Sequence, residues 1–236
     1  MTWEVAVPHR RILQLACFAL CLMIPAPATA APRPWLSGWF GGSAYRMGDV
    51  NDDISQINSF LAGTGVKMEE IHRGPNYGLA FGLDVGRGFS IGFGYDRLAG
   101  KSDVSHPAFS LEYDLPANLL RGFGRYSFES TGKTTGFLEL SIGHVTLDGS
   151  ATATASGVGS ETTSFEGSDP VLEGAGGFSY WTSPQVAFVG VFGYRSASVD
   201  GVQADGAPVY NSRGEPFSID YSGAFLRLGL TLALAR

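Results

Sequence analysis

The stretch Ala224-Phe-Leu-Arg-Leu-Gly-Leu-Thr-Leu-Ala-Leu234 alternates between large apolar side chains and small or polar ones. Within the wider tract Asp220 to Arg236, the alternation has a period of two, which is the period of a β-strand. A row of leucines occupies one face, and the other face carries Arg227 and Gly229. A strand that crosses a bilayer at a tilt needs roughly 9–11 residues, whereas a strand of a soluble sheet usually has about five or six. The tract therefore predicts a membrane-crossing strand with its leucines in lipid and its polar face towards a lumen.

The beginning of the chain has the three parts of an export signal. A basic start, His9-Arg10-Arg11, precedes an apolar run from Ile12 to Ile24, and Ala28-Thr29-Ala30 has the small-x-small pattern of a cleavage site. We therefore predict a signal peptide over 1–30 and one domain, an outer-membrane barrel, over 31–236.

The composition excludes several classes of protein. Both cysteines, Cys17 and Cys21, lie in the predicted signal, so a disulfide scaffold and a thiolate metal site are excluded. A formal net charge of −6 leaves no basic footprint for nucleic acid. Residues 31–236 contain no run of about 18 apolar residues, so no helical membrane span is predicted. The 33 glycines argue against a helical bundle and favour closely packed strands.

Period-two patterning predicts eight strands along the chain. They are Trp35 to Tyr45, Asn76 to Val85, Phe89 to Arg97, Leu119 to Phe128, Thr135 to Leu147, Val171 to Trp181, Gln185 to Ser196, and the final tract from Asp220. The second and third form a hairpin around Gly86-Arg87-Gly88. Glycines blur the alternation of the first strand, so its faces are not assigned.

The connections between these strands are alternately long and short, and both chain ends fall on the side of the short ones. The long ones are 47–73, Gly100 to Asn118, 148–168 and 199–218. The third is rich in Gly, Ser, Thr and Ala, which predicts a mobile loop. This layout is typical of transmembrane barrels with short periplasmic turns and long outer loops.

The first long connection carries a helical pattern. Apolar residues recur at helical spacing at Val50, Ile54, Ile57 and Leu61. Asp49 or Asn51 is a suitable cap for the start, and Gly63 and Gly65 suit the end. The sequence therefore predicts a short amphipathic helix in this connection.

The whole layout resembles the small bacterial outer-membrane barrels of the OmpA and OmpX type, over nearly all of 35–235. Arg227, Gly229, Leu232 and Leu234 also match the C-terminal signal by which such barrels are recognised for assembly. The chain departs from that pattern by ending on Ala235-Arg236 rather than on an aromatic residue. The resemblance implies an all-β, eight-stranded, antiparallel up-and-down transmembrane barrel in the bacterial outer membrane. It also implies outer-membrane lipids as partners, and periplasmic chaperones and the barrel-assembly machinery as partners during biogenesis.

Charged residues lie on the faces opposite the large apolar ones. The acids are Asp84, Asp96, Glu139 and Glu173, and the bases are Arg121, Arg125, Arg195 and Arg227. Side chains fill the interior of an eight-stranded barrel, and buried charges are costly unless paired. Equal numbers of acids and bases therefore predict an interleaved network that plugs the lumen.

Aromatic residues concentrate near the ends of the predicted strands. Tyr45, Tyr77, Tyr95, Tyr194 and Tyr221 lie next to the long loops, and Trp35, Phe89, Phe128, Tyr180 and Trp181 lie near the short turns. Transmembrane barrels carry an aromatic girdle at each membrane interface. The sequence thus predicts two girdles.

The leading functional prediction is a non-enzymatic protein with a structural or surface-interaction role through its outer loops, with no specified ligand. Two alternatives stay open: a narrow pore for small solutes, and a lipid-modifying membrane enzyme. The histidines after the signal, His72, His106 and His144, lie in different elements without the spacing of metal ligands. No metal or other cofactor is predicted.

Overall fold

The computed structural model describes residues 32–128 and 132–234. The predicted signal peptide with its two cysteines, and Ala235 and Arg236, lie outside the described residues. Within the described ranges, no helix combines the length and the apolar character needed to cross a membrane.

The described chain is built of β-strands and one helix. In chain order the elements are β1 Arg33–Ala44, α1 Gly48–Leu61, β2 Arg73–Gly86, β3 Phe89–Leu98, β4 Lys101–His106, β5 Phe109–Asp114, β6 Ala117–Ser127, β7 Thr134–Ala155, β8 Gly159–Trp181, β9 Val186–Ser196, β10 Ser198–Asp200, β11 Gln203–Ala204, β12 Ala207–Pro208, β13 Ser218–Asp220 and β14 Gly223–Ala233. Eight strands close a ring in the order β1-β2-β3-β6-β7-β8-β9-β14, and every neighbouring pair is antiparallel. The pairing of β14 with β1 closes the ring. The predicted eight-stranded up-and-down barrel is confirmed.

Alternation along each strand separates an apolar exterior from a mixed interior. On β14, Leu228 is 60% exposed, whereas Phe225 and Arg227 are 4% and 2% exposed. Phe40 on β1 and Phe93 on β3 are likewise 66% and 69% exposed on the outside. Apolar surface this extensive and contiguous is unfavourable in water and suits hydrocarbon. The outer face of the ring is therefore the lipid-facing face.

The two ends of the barrel differ. One end, here called the turn end, holds the β2–β3, β6–β7 and β8–β9 connections, the start of β1 and the end of β14. The β2–β3 turn is tight: Gly86, Arg87 and Gly88 all have positive φ angles, 93°, 53° and 80°, and glycine adopts such angles at little cost. The other end, the loop end, holds α1, β4, β5 and β10–β13.

The prediction of a mobile loop over 148–168 is wrong. β7 and β8 run on as one long hairpin, with Thr152 opposite Thr162, and turn at 156–158. The β4–β5 hairpin pairs with the extension of β7, and β11 pairs with that of β8. Threonine favours strands, and the paired backbone groups need no apolar face. Polar composition alone therefore gave a misleading loop signal.

The helix α1 confirms the predicted helix, which ends at Leu61, just before Gly63, but the two residues predicted to cap its start do not do so. The residue before the helix is Met47, in a left-handed conformation and without a side-chain cap. Asp49 lies inside the helix and accepts a hydrogen bond from the Ser218 backbone N–H (2.9 Å). Asn51 also lies inside and holds Ile71 through both backbone groups. These side chains fasten the helix to the loops around it rather than begin it.

A hydrophobic core fills the loop end of the barrel. Its fully buried members, the outer core, are Tyr45, Met47, Val50, Ile54, Met68, Ile71, Leu98, Val104, Leu115, Ala117, Leu119, Val145, Leu147, Val171, Ala197, Val199, Val202, Phe217, Ile219 and Tyr221. They come from α1, from the loop-end parts of the barrel strands and from the connections between them. We call α1, β4, β5, β10–β13, the loop-end connections that join them to each other and to the barrel strands, and the extensions of β7 and β8 the crown. The outer core joins the crown to the barrel.

Candidate functional site

A layer of charged side chains fills the middle of the lumen. It consists of Asp96, Arg121, Arg125, Glu139, Glu173, Arg195 and Arg227, here called the ion plug. These residues come from β3, β6, β7, β8, β9 and β14, and strand alternation points all of them inward. Arg125 is the most exposed of them, at 12% of its side chain. Six of the eight barrel strands thus contribute a charged side chain to the ion plug.

Arg121 links all three carboxylates of the ion plug. Its Nε lies 3.0 Å from Asp96 Oδ2 and 3.3 Å from Glu173 Oε2. Its Nη1 donates to Glu139 Oε1 at 2.7 Å. A guanidinium presents its donors in a rigid planar fork, and several buried acceptors can therefore be met at once.

Arg125 forms the side of the plug that faces the turn end. Its Nε and Nη2 donate to Glu139 Oε2 at 3.0 and 2.7 Å. The guanidinium lies 4.1 Å from the Phe137 ring centroid and 4.8 Å from that of Trp35. Aromatic faces attract a cation in a desolvated site, so the rings hold Arg125 in place together with its carboxylate.

Glu173 joins the plug to the last two strands of the ring. Its Oε1 accepts from Arg195 Nε at 2.6 Å and from Arg227 Nη2 at 2.9 Å. Arg227 Nη2 also lies 3.2 Å from Asp96 Oδ1, which in turn accepts from Trp39 Nε1 at 2.8 Å. The contacts therefore form one continuous network around the lumen.

The plug contains four arginines and three carboxylates, so one positive charge lacks a matching carboxylate. The Phe225 ring lies 4.0 Å from the Arg227 guanidinium and 5.3 Å from that of Arg195. A cavity of about 20 Å³, lined in part by Arg227 and Arg121, adjoins the network. A cavity of this volume can hold one water molecule. Among the described residues, Arg195 Nη1 and Nη2 and Arg227 Nε have no hydrogen-bond acceptor, so the Phe225 ring borders part of the excess charge in place of a carboxylate.

The structure contradicts the prediction that Asp84 belongs to this network. Asp84 is exposed and lies near the turn end, where it accepts from Trp35 Nε1 at 3.2 Å and from Ser90 Oγ at 2.5 Å. In the described residues no arginine lies within 4.0 Å of its carboxylate. Strand β2 carries Asp84 beyond the level of the plug, next to the register shift at Gly86.

In the part of the chain that the structure describes, the lumen opens to solvent on the turn-end side of the plug. At the turn end a chamber of about 920 Å³ opens to solvent, lined among others by Trp35, Arg125 and Trp181. Beyond Arg125 the ion plug fills the lumen, and beyond the plug the outer core fills the loop end. The chamber is therefore blind.

Only some of the predicted girdle residues lie on the outside of the barrel. Five of the ten residues are exposed on the outside of the barrel: Tyr77 (51%), Tyr95 (43%) and Tyr194 (47%) near the loop end, and Phe128 (45%) and Tyr180 (43%) near the turn end. Phe89 is half-buried and packs against Tyr126, with 4.8 Å between the ring centroids.

The other predicted girdle residues point inward, and those assignments are wrong. Trp35 is 5% exposed, and its ring packs against Phe123 inside the lumen. Tyr45 and Tyr221 are buried in the outer core, where their rings meet edge to face at 5.5 Å. Trp181 lines the blind chamber. An aromatic residue at a strand end faces lipid only on the outward parity. Tyr221 and Trp181 share the parity of the inward Arg227 and Glu173, so alternation already disfavoured their assignment to a girdle. Trp35 and Tyr45 lie on the first strand, whose faces the sequence left unassigned.

The four residues of the predicted assembly signal lie along β14 and just beyond it. Arg227 belongs to the ion plug, and Gly229 points inward, where a Cβ would meet the Gly38 carbonyl and Trp39. Leu232 and Leu234 are 44% and 56% exposed on the lipid face. Recognition by an assembly machinery stays a prediction.

Two polar partners of the plug were missed in the sequence. Trp39 donates to Asp96, and Ser141 Oγ donates to Glu173 Oε2 at 3.3 Å. Ser141 shares the face of Glu139, so its inward position was visible from the alternation. Trp39 lies on the first strand, whose glycines hid its faces until the pairing with β14 was known.

The closed ring, the apolar exterior and the charged interior together define a transmembrane β-barrel of the bacterial outer-membrane class. No family model matches the chain, and no curated protein matches its sequence.

Several solved structures are similar to the chain at low sequence identity. They include Neisserial surface protein A, at 12% identity over 85% of this chain and 95% of that one, with a TM-score of 0.44. Ail, the attachment invasion locus protein of Yersinia pestis, was solved with the heparin analogue sucrose octasulfate. It is 12% identical over 87% of this chain and 100% of its own, with a TM-score of 0.46. OprG of Pseudomonas aeruginosa is 12% identical over 87% and 95%, with a TM-score of 0.44.

Proposed function

We propose that this chain is a non-enzymatic outer-membrane barrel with a closed lumen, and that it acts at the cell surface through its crown. The observation that carries the proposal is the filling of the lumen by two successive layers, the ion plug and the outer core. Transport through the barrel would require both layers to move. The crown, in contrast, is folded and exposed.

The crown has contacts that fix its shape. Asp49 on α1 accepts from the Ser218 backbone N–H and from its hydroxyl, and also from Asn211 Nδ2 at 3.2 Å. The Tyr221 hydroxyl donates to the Leu115 carbonyl at 2.9 Å within the outer core. Surfaces that are ordered before binding lose less entropy when a partner docks. These contacts support a role in binding at the outer surface.

The contacts of the histidines support the non-enzymatic assignment over a lipid-modifying enzyme. His72 lies 2.9 Å from Glu70, both on the exposed approach to β2. His106 accepts from the Ala108 backbone N–H at 3.2 Å at a hairpin tip, and His144 is exposed on β7. A hydrolase needs a nucleophile, a base and an orienting group in one place, whereas these side chains lie in separate elements.

The pore alternative is tested by solute flux. Protein refolded into liposomes should leave the swelling rate in an isosmotic pentose at the level of protein-free liposomes, because both layers block the path. A known open porin at equal protein content serves as the positive control. Swelling that rises with the amount of this protein would instead support the narrow pore.

The orientation of the crown is tested by protease treatment of intact cells. Trypsin should cut at the exposed crown residues Lys67 and Arg213 and should leave the turn residue Arg87 intact. The variant K67Q/R213Q, with the same barrel, should lose these two cleavages. Cleavage at Arg87 in intact cells, with protection of the crown, would invert the topology and contradict the surface role.

A further inference from the structure

Three arginines at the loop end point away from the lumen. Arg73 shares the outward face of β2 with Tyr77, and Arg97 shares the outward face of β3 with Tyr95. Arg46 follows β1 and reaches across β14, where its Nη2 donates to the outward-facing Tyr194 hydroxyl at 2.9 Å. The three side chains thus lie on one arc of the barrel exterior.

These three arginines have no carboxylate partner. In the described residues none of them has a carboxylate oxygen within 4.0 Å. Two other cations of the loop end do: Lys101 lies 2.7 Å from Glu112, and Arg213 lies 3.5 Å from Asp52. The loop end is rich in acidic side chains, so the arginines that lack a partner are those on the face turned towards the membrane.

The height of the arc is set by the tyrosines beside it. Below them the exterior is apolar, with Leu79 58% and Phe93 69% exposed. Tyrosine rings at the edge of such a band lie at the level of the lipid headgroups. Along β3, Arg97 stands two residues beyond Tyr95 in the direction of the loops. Arg97 and Arg46, which contacts the Tyr194 hydroxyl, therefore lie at the level of the lipid phosphates, and Arg73 stands four residues from Tyr77, further towards the loops.

One of the arginines is also held in place. Arg97 Nη1 donates to Asn118 Oδ1 at 2.8 Å, and the Tyr95 hydroxyl donates to the same oxygen at 2.5 Å. Because Nη1 is engaged, the other nitrogens of the guanidinium are left to donate to a ligand. A positioned guanidinium binds phosphate with two parallel, charge-assisted hydrogen bonds.

We propose that Arg46, Arg73 and Arg97, with Tyr95 and Asn118, form a site for the phosphate groups of a phosphorylated glycolipid of the outer leaflet. A lipid is the source that fits, because the arginines border an apolar band that acyl chains can cover. The acidic crown above would repel a soluble anion that lacks such chains. The site rests on membrane insertion and is independent of what the crown binds.

The test compares two lipids that differ only in phosphate. Refolded protein in a nonionic detergent is incubated with lipid A that carries both phosphates, or with its dephosphorylated form, and the bound lipid is counted by native mass spectrometry. Each basic residue near an anionic surface contributes on the order of 1 kcal/mol, so R46Q/R73Q/R97Q should bind the phosphorylated lipid roughly a hundredfold more weakly. Each single substitution should weaken binding by roughly fivefold.

A matched control removes the same charge from the crown. The variant K67Q/K101Q/R213Q should retain wild-type affinity, since these side chains do not border the apolar band. Equal binding of both lipids, or undiminished binding by R46Q/R73Q/R97Q, would overturn the site. Tight binding of inorganic phosphate that the same substitutions abolish would overturn the lipid as its source. If the triple variant fails to refold, the single variants give the same comparison.

Discussion

Arg121 and Glu139 meet across β6 and β7 with 2.7 Å between Nη1 and Oε1, and each side chain is less than 5% exposed. Arg125 shares the same carboxylate. In the described residues Glu139 is the sole carboxylate within 4.0 Å of Arg125, whereas Arg121 also contacts Asp96 and Glu173.

We expect Glu139→Gln to be strongly destabilising. The amide can still accept a hydrogen bond, but it leaves the Arg125 guanidinium without a carboxylate and removes one of the three carboxylates that Arg121 contacts. Breaking a buried pair from one side costs about 3–5 kcal/mol. Urea unfolding of the protein in lipid vesicles measures the change.

The matched control for this variant is Asp84→Asn, because Asp84 lies outside the ion plug. Its carboxylate is exposed and bonded to Trp35 and Ser90, so the expected cost is about 1 kcal/mol. Equal destabilisation of D84N and E139Q would contradict the exclusion of Asp84 from the ion plug.

Arg227→Leu should cost less than Glu139→Gln. Without Arg227, Glu173 keeps Arg195 and Arg121, and Asp96 keeps Arg121 and Trp39. The plug also loses the charge that exceeded its carboxylates. We expect about 1–3 kcal/mol in the same urea assay, with the exposed turn substitution Arg87→Leu near zero. A loss for R227L that exceeds that for E139Q would contradict this ordering.

Strand periodicity was sufficient to predict the barrel, because a one-residue slip would move every large apolar side chain of a strand into the lumen. The leucines of β14 and the arginines of β6 could therefore be placed correctly before any pairing was known. Periodicity failed where a face depends on the crown. Tyr45, at the end of a strand whose faces the sequence left unassigned, is covered by a helix and by loops that come from distant parts of the chain, and no local pattern reports such cover.

For the ion plug, too, strand periodicity predicts one feature and misses another. Its inward residues follow from alternation, but the membership of Asp84 depends on how far along the barrel axis each strand is shifted. That shift is set by the pairing of Asp84 with Ser90 and by the irregularity before Gly86. The sequence of one strand contains no information on its shift along the barrel axis relative to its neighbours.

A substitution at Gly82 tests the inward position of Trp35. A Cβ at Gly82 would overlap the Trp35 indole ring, which is held by Asp84 and by Phe123. Gly82→Ala should therefore destabilise the barrel by about 1–3 kcal/mol through overpacking. Gly124 also lies within a strand, but a Cβ there would meet no atom within 4 Å. Gly124→Ala should be neutral or stabilising by up to about 1 kcal/mol. Equal effects in urea unfolding would place the indole elsewhere.

The outer core should weaken at alkaline pH. Burial raises the pKa of Tyr45 to about 12, whereas an unfolded tyrosine titrates near 10. Because the folded pKa is the higher one, its contribution to stability is complete below about pH 10 and is lost as the pH rises towards 12. Tyr45→Phe keeps the ring and removes the hydroxyl that ionises. Between roughly pH 9 and roughly pH 11, one unit on each side of the ordinary tyrosine pKa, the variant should therefore lose less stability than the wild type.

Tyr210→Phe, in an exposed part of the crown, is the control for this experiment and should follow the wild type. Urea midpoints at the two pH values give the comparison. A Tyr45→Phe variant with the full alkaline loss of the wild type would remove Tyr45 as its cause.

Single-channel recording of the wild-type protein in a planar bilayer tests the closed lumen most directly. With the ion plug and the outer core both in place, the account predicts insertion without steady current, over a range of voltages and in simple salt. Insertion is verified independently, by the protease-protected barrel fragment. Large, steady unit currents from the wild type would contradict the account, because ions would then be crossing a lumen that both layers are said to fill.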